Sequence, residues 1–140
     1  ALMAAADRAQ HLATVVTPAL AAGQHVVSDR TVYSTLAYQG YGRGLDLDEL
    51  RTINDWAVRG RWPDVVFLLV VSPATIARRM GKRDLDRFER AGDAFHARVD
   101  AGFREMAAGD PDRWVVVDAD QPIDTVSALI RTTVEARLHA

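Results

Sequence analysis

The chain has 140 residues, a formal charge of −2 and no cysteine. That length fits one domain, read as 1–140, with enough chain to bury a real core. Without cysteine there are no disulfides, thiolate zinc sites or cysteine nucleophiles, which fits a cytoplasmic chain, and neither the charge nor any apolar run points to nucleic acid or membrane.

The chain starts at Ala1 rather than Met, a hint of truncation or processing. Residues 2 to about 22 are alanine-rich, with Leu12, Val16 and Leu20 at helical spacing. Pro18 is expected to kink or divide this helix, and Gly23 to end it. His25 to Ser28 reads as a short buried parallel strand. Residues 31 to 41 read as partly helical, followed by a flexible loop at Gly40, Gly42 and Gly44. Asp46 or Asp48 caps the next helix, which carries Leu47, Leu50, Ile53, Asn54 and Ala57 on one side. Gly60 and Pro63 close it. Val65 to Val71 is the clearest buried strand. Ser72 and Pro73 then read as the cap and first residue of a further helix. Residues 78 to 90 hold six basic side chains against three acidic ones. Another helix runs from about Gly92 to Ala108, and Trp114 to Asp118 is a third strand. Pro122 opens a last helix with Ile123, Val126, Ile130 and Val134 on one face. Helices alternating with apolar strands predict an α/β protein, a parallel sheet with helices on both faces.

Ligands bind at the carboxyl ends of such strands. Asp29-Arg30 lies there, offering a cation contact and a guanidinium fork for phosphate oxygens. Its alternative is a structural ion pair at the strand end. Tyr38, just beyond, is core or a substrate wall. Asp7-Arg8 taken alone reads as a solvated surface pair. An arginine-rich loop around Gly81 suits closure on a polyphosphate. Asp118 and Asp120 resemble a phosphotransfer pair weakly; a strand-end acid and a helix-capping acid is the preferred reading. Asp46 and Asp48 read as caps, and the four histidines have no metal-ligand spacing. A G-x-x-x-x-G-K-[ST] loop needs a lysine after glycine. Lys82, the single lysine, follows Gly81, but Arg83 and Ile76 stand at the other key positions, so these residues contain no such loop.

Four blocks, in order, resemble the bacterial thymidylate kinases. Ala5 to His11 is similar to the family's "AADRAQH" helix. Ser28-Asp29-Arg30 with Ser34 to Gly40 is similar to "SDRY…SSLAYQG", continued by Gly42 to Asp46. Pro63-Asp64 matches the "PD" entry to the long strand. Arg83 with Leu85 to Glu89 is similar to the lid. The resemblance implies a three-layer P-loop kinase-like parallel sheet and transfer of a phosphoryl group from ATP to thymidine monophosphate, with Mg2+. It implies that Arg8 contacts base and phosphate, that Asp29 orders the site near the metal, and that Arg30 holds the acceptor phosphate. Thr35, Tyr38 and Gln39 then line the nucleoside pocket. Arg79, Lys82, Arg83 and Arg87 belong to a lid at about 78–92. Asp118, Ala119 and Gln121 lie near adenine. The family is usually dimeric.

Departures from the pattern set further expectations. Family members begin with a strand, a phosphate-binding loop, a helix and a second strand, so these residues resemble the C-terminal two-thirds. The polypeptide is expected to be weak or inactive by itself, and marginal in folding, because the family's first strand lies between the segments 25–28 and 65–71. Ala4 replaces an aromatic that stacks on thymine, a loss worth about 1–3 kcal/mol by analogy with base stacking. Thr31 replaces a second aromatic. A related kinase of different base preference, or a non-catalytic nucleotide-binding remnant, are the alternatives.

Overall fold

The computed structural model describes residues 1–79 and 92–138. They fall into two compact units, one of Ala1–Trp62 with Ala94–Phe103, the other of the described parts of Pro63–Asp93 and Arg104–Ala140.

In the first unit, α1 (Leu2–His11) passes through a π-helical turn (Leu12–Val16) into α2 (Thr17–Ala21). Pro18, expected to kink or divide this helix, sits at the start of α2, directly after the π-helical turn. Proline lacks an N–H and its ring crowds the carbonyl four residues back. The turn just before it is widened, and the Thr17 N–H reaches back to the Leu12 carbonyl. Gly23, at φ 73°, ends the helix as expected, and the Gln24 N–H bonds to the Ala19 carbonyl.

His25 to Ser28 is not a strand. These residues are irregular, all of 21–30 is exposed, and Val27 is 98 % exposed. Two adjacent valines suit a strand, but a strand exists only as one side of a hydrogen-bonded pair. Among the described residues nothing pairs with it.

Next, α3 (Val32–Thr35) leads into a second π-helical segment, Leu36–Gly42. The expected loop at Gly40 and Gly42 is therefore helix, and both glycines are buried. A Cβ at Gly42 would lie 2.7 Å from the Phe95 ring and 2.9 Å from Val99. At Gly40 it would overlap Leu47. Gly44, at φ 75°, makes the actual turn. Asp46 then caps α4 (Leu47–Val58), accepting from the N–H groups of Asp48 at 2.9 Å and Glu49 at 2.8 Å. Leu50, Asn54, Ala57 and Val58 form its buried side. Leu12, Val32 and Val58 pack together with Val16, Tyr33 and Trp62 around them.

In the second unit, β1 (Val66–Val70) and β2 (Trp114–Asp118) pair in parallel, Val66 opposite Trp114 and Val70 opposite Asp118. Both strands lie where the apolar runs predict. Ser72 caps α5 (Pro73–Arg79), its Oγ accepting from the Thr75 N–H at 3.3 Å. Helix α6 (Asp93–Gly109) follows Gly92, with Ala94–Phe103 belonging to the first unit, and α7 (Ile123–Leu138) follows β2. Trp114 and Val117 of β2 are buried, as is Ala119 just beyond it, whereas Val116 is 57 % exposed. Val126, Ile130 and Val134 are half-buried, but Ile123 is 83 % exposed and stands off the expected apolar face. The architecture is α/β, with two of the three expected strands formed among the described residues.

Candidate functional site

Arg8 departs from the surface-pair reading. Asp7 is exposed, but the Arg8 side chain is half-buried. Its Nη1 donates to Oδ1 of Asn54, and its Nη2 to Oγ1 of Thr35 at 3.0 Å. Asn54 is fully buried and spends its Nδ2 on the Leu50 carbonyl at 2.7 Å. The guanidinium is thus held by neutral oxygens, and among the described residues no carboxylate bridges it. Burial pushes its pKa down, partly opposed by the charge of Asp7. It remains a cation at any ordinary pH.

Arg30 is built differently. It is exposed, with its backbone at φ 65°. A non-glycine residue there costs about 1–2 kcal/mol. Such strain clusters at functional sites. The Ser28 hydroxyl donates to its carbonyl at 3.3 Å, and its own Nε donates to Oγ of Ser34 at 3.3 Å. Its guanidinium carbon sits 4.6 Å above the Tyr38 ring. The Tyr38 ring meets Phe95 and Phe103 edge-on at 6.1 and 6.4 Å. Thr35 is buried, and Tyr38 and Gln39 are half-buried. Asp29 is exposed and forms no ion pair with Arg30, so the strand-end ion pair does not occur.

At the carboxyl end of β2, in the second unit, Asp118 Oδ1 accepts from the Asp120 N–H at 3.0 Å, and its Oδ2 from Gln121 Nε2 at 3.1 Å. Asp120 accepts the Ser72 N–H at 3.2 Å. Its partner is the residue that caps α5, 48 residues earlier. Hydroxyl bonds from Ser72 and Thr75 hold its carboxyl below the usual range. Arg79 Nη2 donates to the Ala119 carbonyl at 3.1 Å. Arg79 is thus engaged with the loop that the resemblance places near adenine. Lys82, Arg83 and Arg87 lie outside the described residues.

Among the described residues no three histidine or acidic side chains cluster to hold a metal ion. Mg2+ is commonly held by one or two carboxylates together with phosphates and water. A single exposed Asp29 fits that role and does not form a cage. No described helix is long and apolar enough to cross a membrane.

Asn54, Phe95 and Phe103 were not singled out as site residues in the sequence. Asn54 carries a readable signal, a polar side chain among the apolar positions 50, 53 and 57 of its helix. Phe95 and Phe103 carry none, because their partner Tyr38 is distant in sequence.

The thymidylate kinase family profile matches residues 1–130. A thymidylate kinase of Leifsonia xyli subsp. xyli is 44 % identical over 140 residues, covering 99 % of this chain and 66 % of that protein. One from Solidesulfovibrio magneticus is 47 % identical over 133 residues, covering 89 % of this chain and 64 % of that protein. The crystal structure of thymidylate kinase from Ehrlichia chaffeensis superposes with a TM-score of 0.72 at 27 % identity, covering 94 % of this chain and 60 % of that one. The chain therefore spans just under two thirds of the length of such relatives. With a profile match over most of its length and identity of this order, the chain belongs to the thymidylate kinase family.

Proposed function

We propose that this chain supplies the nucleoside-monophosphate side of an enzyme that moves the terminal phosphoryl group of ATP to thymidine monophosphate. One observation carries the reading. Arg8 is a half-buried cation whose hydrogen-bond partners are all neutral. Burying a charge without a counter-charge is unfavourable, and an arriving phosphate relieves it. Arg30, exposed and laid on Tyr38, offers a second guanidinium to the same anion. Thr35, Tyr38 and Gln39 line the nucleoside pocket. Asp118, Ala119 and Gln121 serve the adenine side, with Arg79, Lys82, Arg83 and Arg87 neutralising charge as the phosphoryl group moves. Mg2+ bound with ATP would spread the charge of the phosphates, and Asp29 would be the carboxylate offered to it. These 140 residues by themselves turn over weakly or not at all, since they contain no G-x-x-x-x-G-K-[ST].

The test is calorimetric titration of thymidine monophosphate into the polypeptide and its Arg8→Met variant, with ADP formation from ATP followed in parallel. The variant is expected to bind at least about tenfold more weakly, the worth of one charged hydrogen bond of about 1.5–3 kcal/mol. Equal affinity in the two proteins, or binding by neither, would sink the proposal. Brisk ADP formation by the unmodified polypeptide would overturn its expected inactivity.

A further inference from the structure

The last carbonyls of a helix have no partner within it. Gly42 ends the second π-helical segment, and its carbonyl accepts two bonds from one guanidinium, Arg98 Nε at 3.0 Å and Nη2 at 2.8 Å. Two donors from a rigid fork fix an oxygen in direction as well as distance. Arg98 does not act alone. Phe95, Val99, Gly102 and Phe103 recur with it at helical spacing along α6. Each meets the same segment: Phe95 and Phe103 flank Tyr38, Phe95 and Val99 crowd Gly42, and Gly102 lies against the Tyr41 ring.

Resting on the reading of Thr35, Tyr38 and Gln39 as a nucleoside pocket, we propose that Arg98 is a positioning residue for that pocket. A π-helical segment is a minority state whose competitor is the ordinary α-helix. Passing from one to the other turns every later side chain about the helix axis. Arg98 pins the carbonyl at the end of the π register, and so sets where Tyr38 and Gln39 point. Through the Tyr38 ring it also sets the surface on which Arg30 rests. Arg98 itself need not touch the nucleotide.

The experiment compares the chain with its Arg98→Met and Arg98→Lys variants. It measures amide hydrogen exchange and the dissociation constants of thymidine monophosphate and deoxyguanosine monophosphate. Arg98→Met is expected to speed exchange about tenfold or more across residues 38–44 while α4 keeps its protection. Thymidine monophosphate should bind about tenfold more weakly, with its preference over the guanosine nucleotide narrowed. Arg98→Lys keeps the charge but loses the fork and should fall between. Unchanged exchange at 38–44 in both variants, or thymidine monophosphate affinity within about twofold of the parent, overturns the assignment. So does loss of protection in α4 as well, which marks a merely structural residue. If the parent binds no nucleotide yet exchange still rises only at 38–44, the pocket reading falls and the hold of Arg98 on the segment stands.

Discussion

Arg8 and Arg30 are two arginines of the same unit prepared for an anion in opposite ways. Arg8 leaves a regular helix, is half-buried, and is fixed by Asn54 and Thr35 from two other helices. Arg30 sits in an exposed irregular stretch, holds a left-handed backbone, and leans on Ser34 and Tyr38. The first is ordered by packing before any ligand comes. The second is ordered by weak contacts and carries backbone strain. A rigid cation can fix where a phosphate sits, and a loosely held one can follow it as its charge changes.

The contrast can be broken most severely at Asn54. Asn54→Ala leaves the half-buried guanidinium one acceptor short and is expected to cost about 2–3 kcal/mol of stability, measured by urea unfolding. A loss below about 0.5 kcal/mol would mean that Arg8 is not held by packing at all. At Arg30 the same comparison gives a different signature. Arg30→Gly relieves a strained φ but adds freedom to the unfolded chain, so stability should stay within about 1 kcal/mol. Affinity for thymidine monophosphate should nevertheless fall by roughly tenfold, one charged hydrogen bond. If stability and affinity drop together, the strain at Arg30 is not a local affair. The smallest effect is expected in the other unit, at Asp120, which is exposed yet tied by hydrogen bonds. Its carboxyl is held below the ordinary value of 3.8 by Ser72 and Thr75. A depressed acid stabilises the fold above its unfolded pKa, and that share is lost as pH falls through the folded one. Unfolding curves taken on acidification below about pH 4 should therefore be flatter for Asp120→Asn than for the parent. Parallel curves would show that exposure cancels the contact.

What could be read in the sequence was whatever depends on neighbours along the chain. The Asp46 cap, the Ser72-Pro73 start, the Gly23 stop and the two strands follow from local chemistry. The failures share another cause. His25 to Ser28 has strand composition, but strand formation needs a partner that composition cannot supply. Asp7-Arg8 looked like a surface pair because nothing nearby shows that Asn54 and Thr35 wait for the guanidinium. The residues about Arg30 are neighbours along the chain, whereas the Phe95 and Phe103 wall behind Tyr38 is distant in sequence and leaves no local mark.

The stretch Gly40 to Gly44 has a consequence for how the chain tolerates change. Its three glycines look alike in sequence and answer to different constraints. Gly44 is defined by an angle, with open space around the position of a Cβ. Asparagine, which visits the left-handed region more easily than most residues, is a workable replacement there. Gly40 and Gly42 are defined by volume: neither has a positive φ, but a Cβ at either would run into neighbouring side chains. A saturation library should pass asparagine at Gly44 while rejecting even alanine at Gly42. The repeat that reads as slack in the chain is closely fitted at two of its three glycines.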